Sequence, residues 1–205
     1  MRFHLGEIPE DDTFNPEKEG WIRLREPSAG MLMFAAVPLG IAMAAAVVSI
    51  WYFIMNASPL GEAGNGFSFT ITLPILLVCI VILIGFGLLH ELLHAVPILL
   101  TRSWDDLLIG FWPRHLSAYF ATFAPVSRNL QLASGALPLF ALTLLPMLLA
   151  VGFSSNSPWL VVLSSLNAAA SGADLIILVL YAQRIPNNAV VRNQGYSTWW
   201  KKPTK

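Results

Sequence analysis

Four apolar segments, each long enough to cross a lipid bilayer, constrain the fold of this chain more than any other feature. A transmembrane helix needs about 20 predominantly apolar residues. The sequence has such stretches at about 30–55, 70–100, 130–153 and 158–182. Because 56% of the 205 residues are hydrophobic and only 12% are charged, the composition is that of an integral membrane protein built as one compact bundle.

The basic residues predict how these segments are oriented. All 12 Lys and Arg residues lie before the first segment, between the second and third, or after the fourth, and the loops near 56–69 and 154–157 contain none. Cytoplasmic loops carry an excess of Lys and Arg, so both termini are predicted to be cytoplasmic. The predicted organisation is a cytoplasmic N-terminal tail (1–28), a four-span domain (29–183) and a cytoplasmic C-terminal tail (184–205).

Composition also excludes several other classes of protein. The formal net charge of +0 gives no basic surface of the kind that binds nucleic acid. Cys79 is the only cysteine, so an intramolecular disulfide is excluded. The polar, acid-rich N-terminus lacks the short basic stretch and apolar core of a signal peptide.

The second apolar segment contains an H-E-x-x-H motif, His90-Glu91-Leu92-Leu93-His94. Residues four apart share a helix face, so His90 and His94 can point at one ion. Two imidazole nitrogens suit a tetrahedral zinc, which in a catalytic site has a third protein ligand and an open position for water. Glu91 would be the base that deprotonates this water. Chance could give the same letters, but ionisable groups within a span are costly and usually functional.

Elimination leaves one strong candidate for the third ligand. The longer form H-E-x-x-H-x-x-G-x-x-H is absent, because Pro97 and Leu100 stand where it needs glycine and histidine. No glutamate follows Glu91, so the downstream candidates are Asp105, Asp106, His115 and Asp174. Asp174 stands out because an unpaired carboxylate in the fourth segment would be costly to bury, and a metal would satisfy it. His115 is a lesser candidate.

The predicted depths of His94 and Asp174 also agree. His94 lies eight residues before Arg102. Asp174 lies ten residues before Arg184, so both are roughly 12–15 Å from a flanking charge. The small residues at 168–173 permit close helix packing. The two helices are therefore predicted to face each other across one ion; the alternative is that Asp174 pairs with a polar side chain or water.

Asn167 lies two helical turns before Asp174 on the same face. Its carboxamide is a candidate donor to a substrate carbonyl or a developing oxyanion. The alternative is a hydrogen bond between two helices.

The connection between the second and third segments predicts a β-hairpin. Residues 107–112 and 116–123 are rich in aromatic and apolar side chains, and 113–115 form a turn signal. Irregular backbone at membrane depth is tolerated only against protein or a wet cavity, so the hairpin is expected to pack near the motif. A simple interfacial loop with aromatic anchors is the alternative. The predicted fold class is an all-α polytopic membrane protein with four transmembrane helices and a β-hairpin between helices two and three.

The combined pattern resembles intramembrane zinc metalloproteases of the site-2 protease type. It resembles more closely a family of uncharacterised bacterial and archaeal membrane proteins described as zincin peptidases. Besides H-E-x-x-H, the shared elements are Pro125-Val126-Ser127-Arg128, a late Asn-…-Ser-Gly-x-Asp that ends at Asp174, and Ile185-Pro186-Asn187-Asn188-Ala189. The resemblance covers about residues 80–196. The site-2 group usually has glycine after the aspartate and a proline before it, whereas this chain has Leu175 and no such proline.

The resemblance implies that His90, His94 and Asp174 bind Zn²⁺ and that Glu91 is the catalytic base. We therefore expect a metallopeptidase that cleaves a membrane-embedded or membrane-proximal peptide near the cytoplasmic leaflet of a prokaryotic cell membrane. An extended substrate could add as a strand to the hairpin edge. The alternative function is a non-catalytic metal-binding scaffold or transporter, although transport favours further ligands along a path across the membrane. A third possibility is a peptidase acting on soluble or lipid-modified peptides at the cytoplasmic surface.

Overall fold

The computed structural model describes residues 2–55, 72–102, 106–115, 117–153 and 157–202. The predicted external loop near 56–69 and nearly all of the short loop near 154–157 lie outside these residues, as does Leu116 in the hairpin region.

The helices of the described chain follow the four predicted segments closely. They are α1 (Ala29–Met55), α2 (Leu73–Leu99), α3 (Arg128–Leu139), a π-helical turn (Phe140–Leu144), α4 (Leu145–Phe153), α5 (Pro158–Ala170) and α6 (Gly172–Arg184). α3 continues through the π-helical turn into α4. Three helical stretches are long and apolar enough to cross a membrane, and there are four if the bent pair α5 and α6 counts as one span.

The fourth span is broken beside the candidate ligand. α5 and α6 meet at a bend of 52°, and Ser171 between them leaves the α-helical region with a ψ of 7°. A Cβ atom at Gly172 would lie 2.5 Å from the carbonyl oxygen of Ala36 on α1. A Cβ atom at Gly40 would likewise clash with the carbonyl oxygen of Ala169 on α5. The small residues thus let α1 cross the break at backbone contact, which fixes the direction in which α6 leaves it.

The prediction of an all-α fold is wrong, because the chain also forms two β-sheets. The strands are β1 (Arg2–Leu5), β2 (Ile22–Arg23), β3 (Leu107–Trp112), β4 (Ser117–Thr122), β5 (Val126–Ser127), β6 (Val190–Gln194) and β7 (Ser197–Lys201). One sheet has the order β1-β3-β4 and the other β2-β7-β6-β5. The segments predicted as N- and C-terminal tails therefore carry four of these strands and are folded.

The predicted hairpin between helices two and three is confirmed. β3 and β4 pair antiparallel with Leu107 opposite Thr122 and Trp112 opposite Ser117, and a 3₁₀ turn at Pro113–His115 joins them. β1 covers the other edge of β3 as a parallel partner. β4 is therefore an edge strand of this sheet in the described chain.

The hydrophobic core of the described chain lies in three clusters, of which one packs helices together and two join a sheet to the end of a helix. One surrounds the fully buried Trp51 and joins α1 to α4 and α5. The second packs α6 on β6 through Tyr181, Ile185 and Val191. The third packs the end of α2 on β3, with Ile98 against Leu107. Both sheets are thus attached at the end of the bundle where α2 and α6 finish.

Candidate metal centre

The structure brings the three predicted ligands together. His90 and His94 lie on α2, and Asp174 lies in the first turn of α6. The Nε2 atom of His90 is 3.1 Å from Oδ2 of Asp174, and Nε2 of His94 is 3.5 Å from Oδ1. The candidate ligand atoms of these three side chains all lie within 4.8 Å of one another.

This arrangement fits a zinc ion. Ligand atoms 2.0–2.2 Å from a tetrahedral zinc are roughly 3.3–3.6 Å from each other. The separations of 3.1 and 3.5 Å between the histidine nitrogens and the Asp174 oxygens are close to that range. Two imidazoles and one carboxylate are also a donor set that catalytic zinc sites use, with a fourth position left open.

Asn167 fixes the tautomer of His90. The amide nitrogen of Asn167 donates to the carbonyl oxygen of Pro138 at 3.0 Å and to Oγ1 of Thr143 at 2.9 Å. Its Oδ1 is therefore the acceptor at the 2.9 Å contact with Nδ1 of His90. Since Nδ1 carries the proton, Nε2 has its lone pair free on the side of Asp174.

Pro138 indirectly fixes the tautomer of His94 in the same way. Nδ1 of His94 is 2.8 Å from the carbonyl oxygen of Ser134, which in a regular helix would accept from the N–H four residues later. That residue is Pro138, which has no N–H, so the carbonyl is free for the imidazole. The hydroxyl of Ser134 in turn donates to the carbonyl of His94 at 2.5 Å. α2 and α3 are thus joined at the metal centre, and Nε2 of His94 also faces Asp174.

Glu91, His94 and Asp174 line a cavity of about 230 Å³. All six residues of β4 line one side of this cavity, and α3 and α6 form other parts of its wall. The start of α1, Ile8 from the N-terminal segment and Tyr196 from the β6–β7 turn also line it. The open side of the metal centre and the candidate base therefore face a space that could hold a bound peptide.

The other predicted site residues occupy different positions. Asn167 is 0% exposed and contacts α2 and α3 through its whole carboxamide, which matches the predicted alternative of a bond between helices. A role for it in substrate binding stays a prediction. His115 lines the cavity and stacks edge-on against Trp112 at 4.5 Å. It lies outside the group of three candidate ligands found in the described chain.

Sequence reasoning did not identify Ser134, Thr143 or Gln131 as part of the site. A signal existed for Ser134, because Pro138 four residues later identifies a free carbonyl on that face of α3. Thr143 could not be found in this way, because the π-helical turn at Phe140–Leu144 decides where it points.

The segment before α1 is attached to β7 by the partly buried carboxylate of Glu26. Glu26 accepts hydrogen bonds from the backbone N–H of Thr198 at 2.8 Å and from its hydroxyl at 2.7 Å. Burial nevertheless raises the pKa of Glu26. Burial and the neighbouring Glu26 raise the pKa of Tyr196 to about 12. Tyr196 is therefore neutral near pH 7 and donates to the carbonyl of Pro27 at 3.0 Å.

The chain thus combines helices that are long and apolar enough to cross a membrane with a His-His-Asp group that could hold a metal ion. Glu91 lies next to this group. A family model with the description "Putative zincin peptidase" matches residues 81–190, which is more than half of the chain. The protein belongs to this family. No curated protein and no solved structure matches the chain. The matched region contains both histidines, Glu91, Asp174, the β3–β4 hairpin and α3, and the family description supports a metallopeptidase that uses zinc.

Proposed function

We propose that this protein is a zinc-dependent endopeptidase that works within or at the surface of a membrane. The observation that carries this proposal is the group formed by His90, His94 and Asp174, of which His94 and Asp174 line a cavity together with Glu91. The long apolar helices that hold these residues support a membrane location. Family membership supports the peptidase activity.

In the proposed mechanism, His90, His94 and Asp174 hold the zinc ion. When bound, zinc would supply a Lewis acid that polarises the scissile carbonyl and makes a nearby water easier to deprotonate. Glu91 accepts a proton from the attacking water on its carboxylate and later delivers it to the leaving amine. Asn167 and the Ser134 carbonyl keep the two imidazoles in the tautomer and orientation that zinc needs.

We propose that the substrate binds as an extended strand along β4. The free edge of β4 presents backbone N–H and C=O groups, and the cavity follows the strand from Ser117 to Thr122. Addition of a strand satisfies the backbone of both partners. A helical transmembrane substrate would have to unwind to bind in this way, which also exposes its peptide bond to attack.

Glu91→Gln separates catalysis from metal binding. Gln keeps the shape of the side chain and removes the base, so zinc should stay at about one per chain. Cleavage should fall by roughly 10²–10⁴-fold. The assay uses detergent-purified protein, elemental analysis, and a reconstituted transmembrane peptide with a helix-breaking residue near its cytoplasmic end. His94→Ala should lose both metal and activity. Equal cleavage by Glu91→Gln and wild type would contradict the mechanism, whereas zinc binding without cleavage by wild type would favour a scaffold or transporter.

We also propose that both termini are cytoplasmic, because the basic residues all lie on one side under the four-span arrangement. In a Cys79→Ser background, an impermeant thiol reagent should label a cysteine introduced at Ser58 from outside intact cells. A cysteine introduced at Ser197 should be labelled only after lysis. The reverse pattern would invert the topology and move the centre toward the external leaflet.

A further inference from the structure

We propose that the carboxamide of Gln131 binds the peptide backbone of the substrate on the strand edge that faces away from β4. This inference rests on the proposed function, because it assumes that an extended peptide occupies the cavity beside the metal centre. It assigns a peptide-binding role to Gln131, whereas the carboxamide of Asn167 already makes three hydrogen bonds within the protein.

Gln131 is held in place by the contacts of the metal centre itself. It lies on α3 one turn before Ser134 and Gly135, and all three residues line the cavity with Glu91 and His94. Residues three and four apart share a helix face. Ser134 accepts a hydrogen bond from the imidazole of His94 and donates one to its backbone carbonyl. This face of α3 therefore cannot move without disturbing the metal centre. Gln131 is therefore presented to the cavity from a rigid wall.

The carboxamide of Gln131 has hydrogen-bonding capacity that the protein does not use. Its Oε1 atom is buried and has no hydrogen-bond partner among the described residues. Leaving such an atom unpaired is costly, and most buried polar groups find a partner. The buried carboxamide of Asn167, in contrast, uses its oxygen and both of its N–H groups within the protein. An unpaired carboxamide oxygen beside the candidate metal centre therefore indicates a ligand that donates a hydrogen bond to it.

An extended peptide supplies the missing partner. Its backbone N–H and C=O groups point alternately to both edges of the strand, and β4 can satisfy one edge only. In a cavity between apolar helices, the other edge would lose its water without gaining partners. A carboxamide both donates and accepts, so Gln131 matches the N–H and the C=O of one residue, which point to the same edge. Such a contact recognises the backbone and is independent of the side chains of the substrate.

The test uses three kinds of inhibitor whose binding does not require cleavage. Acetohydroxamate can reach only the metal and its immediate neighbours. A trileucine hydroxamate adds an extended backbone, and two further analogues each replace one of its internal amide N–H groups with an ester oxygen. The proteins are wild type, Gln131→Leu and, as a matched control, Gln183→Leu, which removes an exposed carboxamide on α6 outside the cavity. Zinc content and melting temperature are measured for each.

Gln131→Leu should keep its zinc and bind acetohydroxamate as wild type does. It should bind the trileucine hydroxamate about 10-fold more weakly, the usual order for a lost hydrogen bond that leaves a partner unpaired. For one of the two ester analogues, the effects of the ester and of Gln131→Leu should not add, because both remove the same contact. Gln183→Leu should match wild type throughout.

Equal binding of the trileucine hydroxamate to wild type and Gln131→Leu would overturn the inference and leave the proposed function intact. Full additivity with both esters would also overturn it, since the loss would then come from packing. If Gln131→Leu does not retain zinc, Gln131→Met, which is closer in shape, replaces it in the same measurements. Failure of wild type to bind zinc or acetohydroxamate would instead contradict the proposed function, and with it this inference.

Discussion

Asn167→Ala tests whether the candidate metal centre depends on a carboxamide that makes its hydrogen bonds within the protein. The substitution removes the acceptor for Nδ1 of His90 and the donors to Pro138 and Thr143, which are contacts of 2.9, 3.0 and 2.9 Å. Without its acceptor, the His90 ring can rotate or take the other tautomer. Loss of such a supporting contact typically weakens metal binding by about 10–100-fold, which corresponds to roughly 1.4–2.7 kcal/mol.

The same substitution should also destabilise the protein without metal. It leaves buried polar groups unpaired, at about 1–3 kcal/mol for each group that finds no other partner. Asn167→Asp separates the two effects. Its carboxylate still accepts from Nδ1 of His90, so most of the zinc affinity should return. It cannot donate to the carbonyl of Pro138, so the loss of stability should remain.

The assay is competition for zinc with a fluorescent chelator, together with thermal unfolding of the metal-free protein in detergent. Ser165→Ala is the matched control on the same helix, because the buried hydroxyl of Ser165 has no partner in the described structure. Removal of this hydroxyl should leave zinc affinity unchanged. If Asn167→Ala binds zinc as tightly as Ser165→Ala, the orientation of His90 does not depend on Asn167 and the reasoning fails.

Two further predictions concern the fold. Gly172→Ala should lower the unfolding free energy by about 1–3 kcal/mol, because its Cβ would lie 2.5 Å from a backbone oxygen of α1. The control is Gly85→Ala, whose Cβ meets open space and which should not destabilise the protein. Equal melting temperatures for the two variants would refute the close crossing of α1 and α6. Hydrogen bonds from Thr13 and the positive charge of Arg192 lower the pKa of Asp11 in the folded protein. Ionised Asp11 therefore stabilises the fold at pH values above its unfolded pKa, and this contribution is lost as the pH falls through the lowered pKa. Asp11→Asn should therefore flatten the dependence of melting temperature on pH below about pH 5, and an unchanged slope would exclude this linkage.

The parts of the fold that the sequence predicts are those in which a local pattern carries the information. Uninterrupted apolar length placed the ends of α1 and α2 within a few residues, and aromatic-rich stretches around Pro113 predicted the β3–β4 hairpin. The i, i+4 spacing of the two histidines fixed their common face. Asp174 was recognisable because an isolated carboxylate in an apolar segment is costly.

Two strands of the second sheet, β2 and β5, had no local signal of this kind. β2 and β5 contain two residues each, and Ile22 pairs with Trp200 across almost the whole chain. Strands this short show no alternation, and their pairing depends on where the helices bring the two ends of the chain. A prediction from composition therefore described both ends as tails, although Glu26 and Thr198 are bonded to each other there.

Two departures from regular helix supply parts of the metal centre. Pro138 removes one N–H from α3 and frees the Ser134 carbonyl that orients His94. The break at Ser171 starts a new helix three residues before Asp174, so its carboxylate lies in the first turn of α6, where the helix dipole favours a negative charge. In lipid, a free carbonyl or a broken helix is costly unless other protein groups satisfy it. Here the irregular positions are the ones that hold the histidines and the aspartate together, so the cost of the irregular backbone and the geometry of the centre arise from the same residues.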